Sequence, residues 1–243
     1  MKLSLIIPVY NERATAAQLL DQVLAFSMPG VEKELVIIES GSTDGTTEII
    51  RGYQGRPGVS VIFEDRPRGK GAAVRKGLEL VTGDIVLIQD ADLEYKVSDY
   101  PKLLQPFIEE NADIVFGSRA LDPEQRWQYR RFKGFVEGVY GRVVNWGGLV
   151  YTILFNLLYG TRLSDGSTMF KLYRRKVLQG MTLRSDGFDY DWEMQAKAAK
   201  RGYKFVERTV EYKARTRAEG KKIRFWRDGW LVFRAIVRFR FSD

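Results

Sequence analysis

In 243 residues the chain carries 39 lysines and arginines against 31 aspartates and glutamates, a formal charge of +8, and it has neither cysteine nor histidine. Disulfides, thiolate or imidazole metal centres and imidazole catalysis are thereby excluded, so acid, base or metal work falls to Asp, Glu, Lys, Arg or Tyr. The length suits a single α/β domain, and the positive charge favours anionic partners: nucleic acid, phosphorylated small molecules or an anionic membrane surface.

Leu3 to Tyr10 reads as a first strand. Its apolar run is too short for a signal peptide and no small-residue cleavage site follows, so residence on the cytoplasmic side is expected. Ala17, Leu20 and Leu24 recur at helical spacing and predict a helix over 14–26. A second buried strand, Leu35 to Glu39, runs into Ser40-Gly41-Ser42-Thr43-Asp44-Gly45-Thr46. There glycine supplies the turn, and Ser, Thr and Asp supply N-cap chemistry for a helix through Ile50. Val59 to Phe63 is a third strand. Arg68-Gly69-Lys70-Gly71 then opens a helix over 72–80, placing basic side chains and flexible backbone at a helix N-terminus suited to phosphate. Ile85-Val86-Leu87-Ile88 reads as a strand buried on both faces and leads directly into Gln89-Asp90-Ala91-Asp92. A helix carrying Tyr100, Leu103, Leu104, Phe107 and Ile108, and a fifth strand from Asp113 to Gly117, complete this half. Strands alternating with helices at this spacing predict a mostly parallel, doubly wound sheet, whose ligands bind outside the carboxyl ends of its strands.

After Arg119 the composition changes. Arg126 to Lys133 is rich in arginine and aromatics, and Phe135 to Tyr159 is largely apolar but interrupted by glycines and asparagines. Its longest uncharged stretch, Val143 to Gly160, is marginal for a bilayer span, which wants ~20 predominantly apolar residues. It reads as one or two helices lying at an interface, with buried core helices as the alternative. Thr168 to Tyr173 predicts a further strand, Asp191 to Lys200 a helix stopped by Gly202, and Tyr203 to Tyr212 a strand. Lys213 to Lys222 is a charged loop. From about Arg224 a last helix sets Trp226, Trp230, Phe233, Val237 and Phe241 on one stripe beside Arg227, Arg234 and Arg238, a pattern equally suited to packing and to membrane docking.

Carboxylates two apart just past a strand, as at Asp90 and Asp92, can both turn toward one hard divalent cation shared with substrate phosphates; a turn with two solvated aspartates is the plain alternative. Four segments converge on one sheet edge: Pro8-Val9-Tyr10-Asn11-Glu12, Glu39 to Thr46, Arg68 to Gly71, and Asp90-Ala91-Asp92. Together they resemble the family-two glycosyltransferases of the GT-A fold. The likeness continues through Gly117-Ser118-Arg119, Asn156 to Gly160, Asp165 to Lys171, Phe188 to Glu193 and Arg215 to Ile223. The second half is similar to the polyprenyl-phosphate branch, the dolichol-phosphate mannose and glucose synthases.

The resemblance implies one GT-A domain: a nucleotide-sugar half over 1–119, an acceptor half over 120–223 and an amphipathic basic helix over 224–243. Pro8, Tyr10, Glu12, Glu39 and Lys70 are expected around the donor nucleotide, with Asp90 and Asp92 holding the donor, Asp92 through Mg²⁺ or Mn²⁺. The family usually has two aspartates where this chain has Glu39 and Ser40. Its mannose synthases often carry Gln where this chain has Glu94.

A sugar hydroxyl needs a general base to attack an anomeric carbon, whereas a phosphate monoester is already anionic and needs mainly positioning and charge compensation. The second half is rich in cations, and Arg119, Arg131, Lys171, Arg215 and Lys222 are the expected acceptor-phosphate ligands. Asp191 and Glu193 are candidates for a base or for orienting those cations. The expected activity is inverting transfer of a hexose from a nucleotide diphosphate sugar to a polyprenyl phosphate at the cytoplasmic membrane face, by a peripheral protein that leaves room for a membrane-protein partner. Transfer to a saccharide hydroxyl is the rival. Nucleic-acid recognition motifs are absent, so nucleic acid is not an expected partner.

Overall fold

The computed structural model of the chain describes residues 1–122, 135–215 and 225–242, and the side chains within them except at 135–145 and 225–226. Seven strands form one sheet in the order β3-β2-β1-β4-β6-β5-β7. They are β1 (Lys2–Val9), β2 (Glu32–Glu39), β3 (Val59–Phe63), β4 (Ile85–Ile88), β5 (Ile114–Ser118), β6 (Lys171–Arg174) and β7 (Phe205–Thr209). The helices are α1 (Ala16–Ala25), α2 (Thr46–Arg51), α3 (Lys70–Leu78), α4 (Tyr100–Glu109), α5 (Phe135–Tyr159), α6 (Arg175–Leu178), α7 (Tyr190–Lys200) and α8 (Phe225–Phe241).

Helices cover both faces of the sheet, which is why its central strands are continuous apolar runs. Leu3, Leu5 and Ile7 of β1 point into one core with Leu19, Leu20, Leu87 and Tyr100. Ile6 of β1 points into the other, with Val86, Ile88, Phe116, Phe155, Trp192 and Ile236. The second half of the chain thus completes a core layer and is not an appendage.

β1 pairs with β2 on one side and with β4 on the other, both in parallel register. The chain winds from β1 outward to β3 and then returns to place β4 on the opposite flank of β1. A crevice opens at such a reversal, outside the carboxyl ends of the two strands. Here those ends deliver Tyr10 and Glu12 from β1, and Asp90 and Asp92 from β4. The predicted strand over 168–173 forms at Lys171–Arg174 and runs antiparallel between β4 and β5. This inserted strand makes the sheet mixed, and it is held at its end by Arg174, which donates to the carbonyl of Ala112 at 2.7 Å.

The region over 135–159 is a single 25-residue helix. It packs along α8, and Tyr151 and Tyr159 donate to the carbonyls of Gly229 and Ile236 at 3.0 and 2.8 Å. Among the described residues no helix is long and apolar enough to cross a membrane. The stripe read on the last helix is not its packing face. Val232, Ala235, Ile236 and Phe239 are buried, whereas Trp230, Phe233 and Phe241 are 63%, 39% and 79% exposed. The side chain of Trp226 lies outside the described residues.

Candidate active site

A cavity of about 690 Å³ lies at the β1–β4 crevice. Pro8, Tyr10, Glu12, Ser40, Lys70, Asp90 and Asp92 line its sheet side, and Gly147, Gly148 and Tyr151 of α5, Asp191 and Trp192 of α7, and Arg227 to Gly229 of α8 line its far side.

The first loop is stitched to the second. Asn11, at a φ of +50°, accepts from the amide of Thr43 at 2.8 Å, while the amide of Glu12 donates to the Thr46 hydroxyl at 2.9 Å. The Thr15 hydroxyl lies 3.0 Å from Glu12 Oε2 and 2.9 Å from the carbonyl of Ala91, tying Glu12 to the loop that carries the two aspartates. Glu39 does not line the cavity; its carboxylate accepts from the amides of Gly41 and Ser42 at 3.2 and 2.8 Å. The expectation of a donor contact there is corrected: Glu39 shapes the turn, and Ser40 takes the place at the wall.

Lys70 is salt-bridged to Asp90. The glycines beside it permit a close backbone approach. A Cβ on Gly69 would stand 2.2 Å from the carbonyl oxygen of Asp186, and one on Gly71 2.3 Å from that of Ser185. The 185–187 segment therefore presses directly against the first turn of α3, and the amide of Gly71 donates to Asp186 at 2.8 Å.

Asp92 is 5% exposed. Its Oδ1 accepts from the Glu94 amide at 3.0 Å and its Oδ2 from Arg215 Nη2 at 2.7 Å. Burial, then the charges of Asp90 and Glu94, raise its carboxyl to about 7 against the opposing pull of Arg215. Among the described residues this quarter holds four carboxylates, Glu12, Asp90, Asp92 and Glu94, against Lys70 and Arg215. Such an excess of hard oxygen donors fits a divalent cation, for which Asp92 and Asp90 would be the protein ligands.

Arg215 lines the cavity, where it bridges Glu12 (Nη1 to Oε2, 2.8 Å) and Asp92. Arg119 also lines the cavity, held by Asp165 through Nε to Oδ2 at 2.6 Å and Nη2 to Oδ1 at 2.8 Å. Burial would lower the Arg119 guanidinium and raise the Asp165 carboxyl, yet their mutual attraction prevails: Arg119 stays well above its ordinary value and Asp165 below its own. Lys171 is corrected too. It is fully buried off the cavity, donating to the carbonyl of Gly166 at 3.1 Å and paired with Asp191. Burial raises Asp191 and lowers Lys171, with their pairing opposing both shifts.

Glu193 faces away from the cavity and is corrected as a candidate base. Its carboxylate accepts from the amides of Arg184 and Ser185 and from Lys197, the last at 2.8 Å, and these bonds hold it below the ordinary glutamate range although burial alone would raise it. Arg131 and Lys222 lie outside the described residues. The sequence reading missed Tyr95, Tyr151, Tyr212 and Asp228 at the cavity wall. A lone aspartate in the Arg-rich, aromatic last helix was the available sign of Asp228.

Residues 4–181 match the model of glycosyl transferase family 2. The chain is 30% identical over 232 residues to glycosyltransferase AglJ of Haloferax volcanii, covering 95% of this chain and 69% of that protein. It is 28% identical over 229 residues to dolichol-phosphate mannosyltransferase of Pyrococcus furiosus, covering 91% and 59%. The chain spans 50% to 69% of the length of such curated relatives. Glucosyl-3-phosphoglycerate synthase from Mycobacterium tuberculosis, solved with Mn²⁺, uridine diphosphate and phosphoglyceric acid, superposes with a TM-score of 0.69 at 16% identity, over 100% of this chain and 79% of that one. That likeness establishes the GT-A type of α/β fold, and with the family match over most of the chain it assigns the protein to glycosyl transferase family 2.

Proposed function

We propose that this glycosyltransferase moves a hexose, with inversion, from a nucleotide diphosphate sugar to a polyprenyl phosphate at the cytoplasmic face of a membrane. The observation that carries the reading is the reach of one cavity. It begins at Asp90 and Asp92 and ends between α5 and α8, the two helices whose outer sides carry Trp146, Val150, Ile153, Leu157, Trp230, Phe233 and Phe241 exposed to solvent. Arginines 227, 234, 238 and 240 accompany them on α8. An apolar face with tryptophans and a cationic rim suits an anionic lipid surface, and the acceptor's prenyl chain has its solvent there.

Asp92 and Asp90 would hold Mg²⁺ or Mn²⁺, which when bound offsets charge on the diphosphate leaving group. Pro8, Tyr10, Glu12 and Ser40 form the donor wall. Lys70 holds Asp90 in place, and Arg119, fixed in orientation by Asp165, offers its charge toward the acceptor. A phosphate acceptor needs no base, which is consistent with Glu193 being engaged by the Arg184 and Ser185 amides and by Lys197. The names of the Pyrococcus relative and of an undecaprenyl-phosphate transferase of Edwardsiella ictaluri support a lipid-phosphate acceptor.

One observation favours the saccharide-hydroxyl reading: Asp191 reaches the cavity, and burial raises its carboxyl as a general base requires. The deciding experiment incubates the protein with a panel of nucleotide sugars, Mn²⁺ and either a short polyprenyl phosphate or saccharide acceptors, and reads products by mass. A glycosylated lipid phosphate is expected; glycosylated saccharide with no lipid product would overturn the reading.

A further inference from the structure

Arg215 sits where a metal-binding carboxylate would otherwise face solvent. Its loop is fastened to the segment after the aspartates, with the Lys213 amide donating to the Glu94 carbonyl at 2.8 Å and the Arg215 amide to Glu94 Oε1 at 2.8 Å. From that anchor the guanidinium reaches Asp92 Oδ2 at 2.7 Å and Glu12 Oε2 at 2.8 Å. Asp92 Oδ1 accepts from the Glu94 amide, and Arg215 covers the other oxygen, Oδ2. The fit is incomplete. Nε of Arg215 is buried without a hydrogen-bond partner, 3.8 Å from Glu94 Oε1. Among the described residues no three acidic side chains have closed around a common point.

We propose that Arg215 is an exchangeable internal cation: it neutralises Asp92 and Glu12 in the free protein, yields Asp92 to the divalent cation as nucleotide enters, and turns its guanidinium to phosphate in the same cavity. The inference rests on the metal-assisted donor reading above. Clustered buried carboxylates repel one another, and a guanidinium on the chain offsets that repulsion. The same guanidinium must be displaced before Oδ2 of Asp92 is open to a cation. An incoming diphosphate gives it somewhere to go, since arginine pairs bidentately with phosphate as readily as with carboxylate. Metal and nucleotide are then obliged to assist each other's binding, by the same factor in each direction.

The test measures Mn²⁺ binding by the loss of its free electron paramagnetic resonance signal, using the full chain, with and without uridine or guanosine diphosphate. Wild type is expected to bind Mn²⁺ weakly alone and more tightly with a nucleotide. Arg215→Ala should bind Mn²⁺ alone roughly tenfold more tightly, equivalent to ~1.4 kcal/mol, and the gain from nucleotide should shrink by about the same factor. Arg215→Lys keeps a charge but cannot span Glu12 and Asp92, so it should shift both quantities in the same direction by less, and it serves if the alanine variant does not fold. Unchanged or weaker Mn²⁺ binding in the folded variants, beside wild-type protein that binds Mn²⁺ and nucleotide, would overturn the exchange and leave the metal reading intact. Wild type that takes up no Mn²⁺ with either nucleotide would overturn both.

Discussion

Arg119 and Asp165 form a two-pronged ion pair in which both side chains are buried, at 5% and 8% exposure, and the Arg119 amide adds a third bond to Asp165 Oδ2 at 3.1 Å. A buried pair of this kind fixes the direction of the guanidinium at the cavity wall, and removing one member strands the other without water. Arg119→Ala and Asp165→Ala should each lower stability by ~3–5 kcal/mol. The double substitution should cost clearly less than their sum, because neither charge is then left alone. Urea unfolding of the four proteins checks this; additive losses would show that the two side chains do not act as a pair.

Glu193 braces the 184–185 backbone against α7. Glu193→Gln should lower stability by ~2–3 kcal/mol, as expected for loss of charge-assisted hydrogen bonds. Turnover by the folded fraction should stay within roughly tenfold of wild type, short of the ~10²–10⁴ that a general base contributes. Loss of nearly all turnover with an unchanged melting temperature would return Glu193 to the chemistry.

The apolar outer sides of α5 and α8 predict binding to lipid. Leu157 and Trp230 are 78% and 63% exposed, so Leu157→Asp and Trp230→Ser should leave the melting temperature unchanged. Each should reduce association with vesicles containing phosphatidylserine by about tenfold, since inserting one such side chain is worth ~1.5–3 kcal/mol. Raising the salt should weaken the wild type further by screening the arginines. Flotation with vesicles is the measurement, and equal binding by both variants would place the docking surface elsewhere.

Glu34 gives a pH signature. Burial would raise its carboxyl, but Lys2 at 2.6 Å, the Ser4 hydroxyl at 2.5 Å and the amide and hydroxyl of Thr82 outweigh burial and hold it at about 2, below the ordinary 4.5. A depressed acid contributes stability that is complete above the ordinary value and disappears as pH falls from 4.5 toward about 2. The contribution is up to ~3 kcal/mol at neutral pH. Glu34→Gln should therefore be less stable than wild type at pH 7, with the gap narrowing below pH 4.5 and closing only as pH falls to about 2. A gap independent of pH would exclude the carboxylate as its source.

The unbroken apolar run of Ile85–Ile88 ending in two carboxylates, and the alternation of strands with helices, were decided by local sequence. Each depends on propensity and burial pattern within a few residues, and from them followed the sheet, its ligand edge and the place of Asp90 and Asp92 on it. What tertiary structure decided was the direction and partner of individual side chains. Glu39 and Ser40 are adjacent at a strand end, so only the turn's geometry chose which one reached the cavity. Asp191 and Glu193 are two apart on a helix and project to roughly opposite sides, so only the packing of α7 could separate a cavity residue from a backbone brace. Lys171 falls inside a motif that the family resemblance made an acceptor ligand, but the antiparallel insertion of β6 between β4 and β5 turns it into the interior toward Asp191. Arg215 meets Asp92 across 123 positions of chain. A charge's partner at such a distance is fixed by the folded path of the backbone, which composition and spacing do not encode.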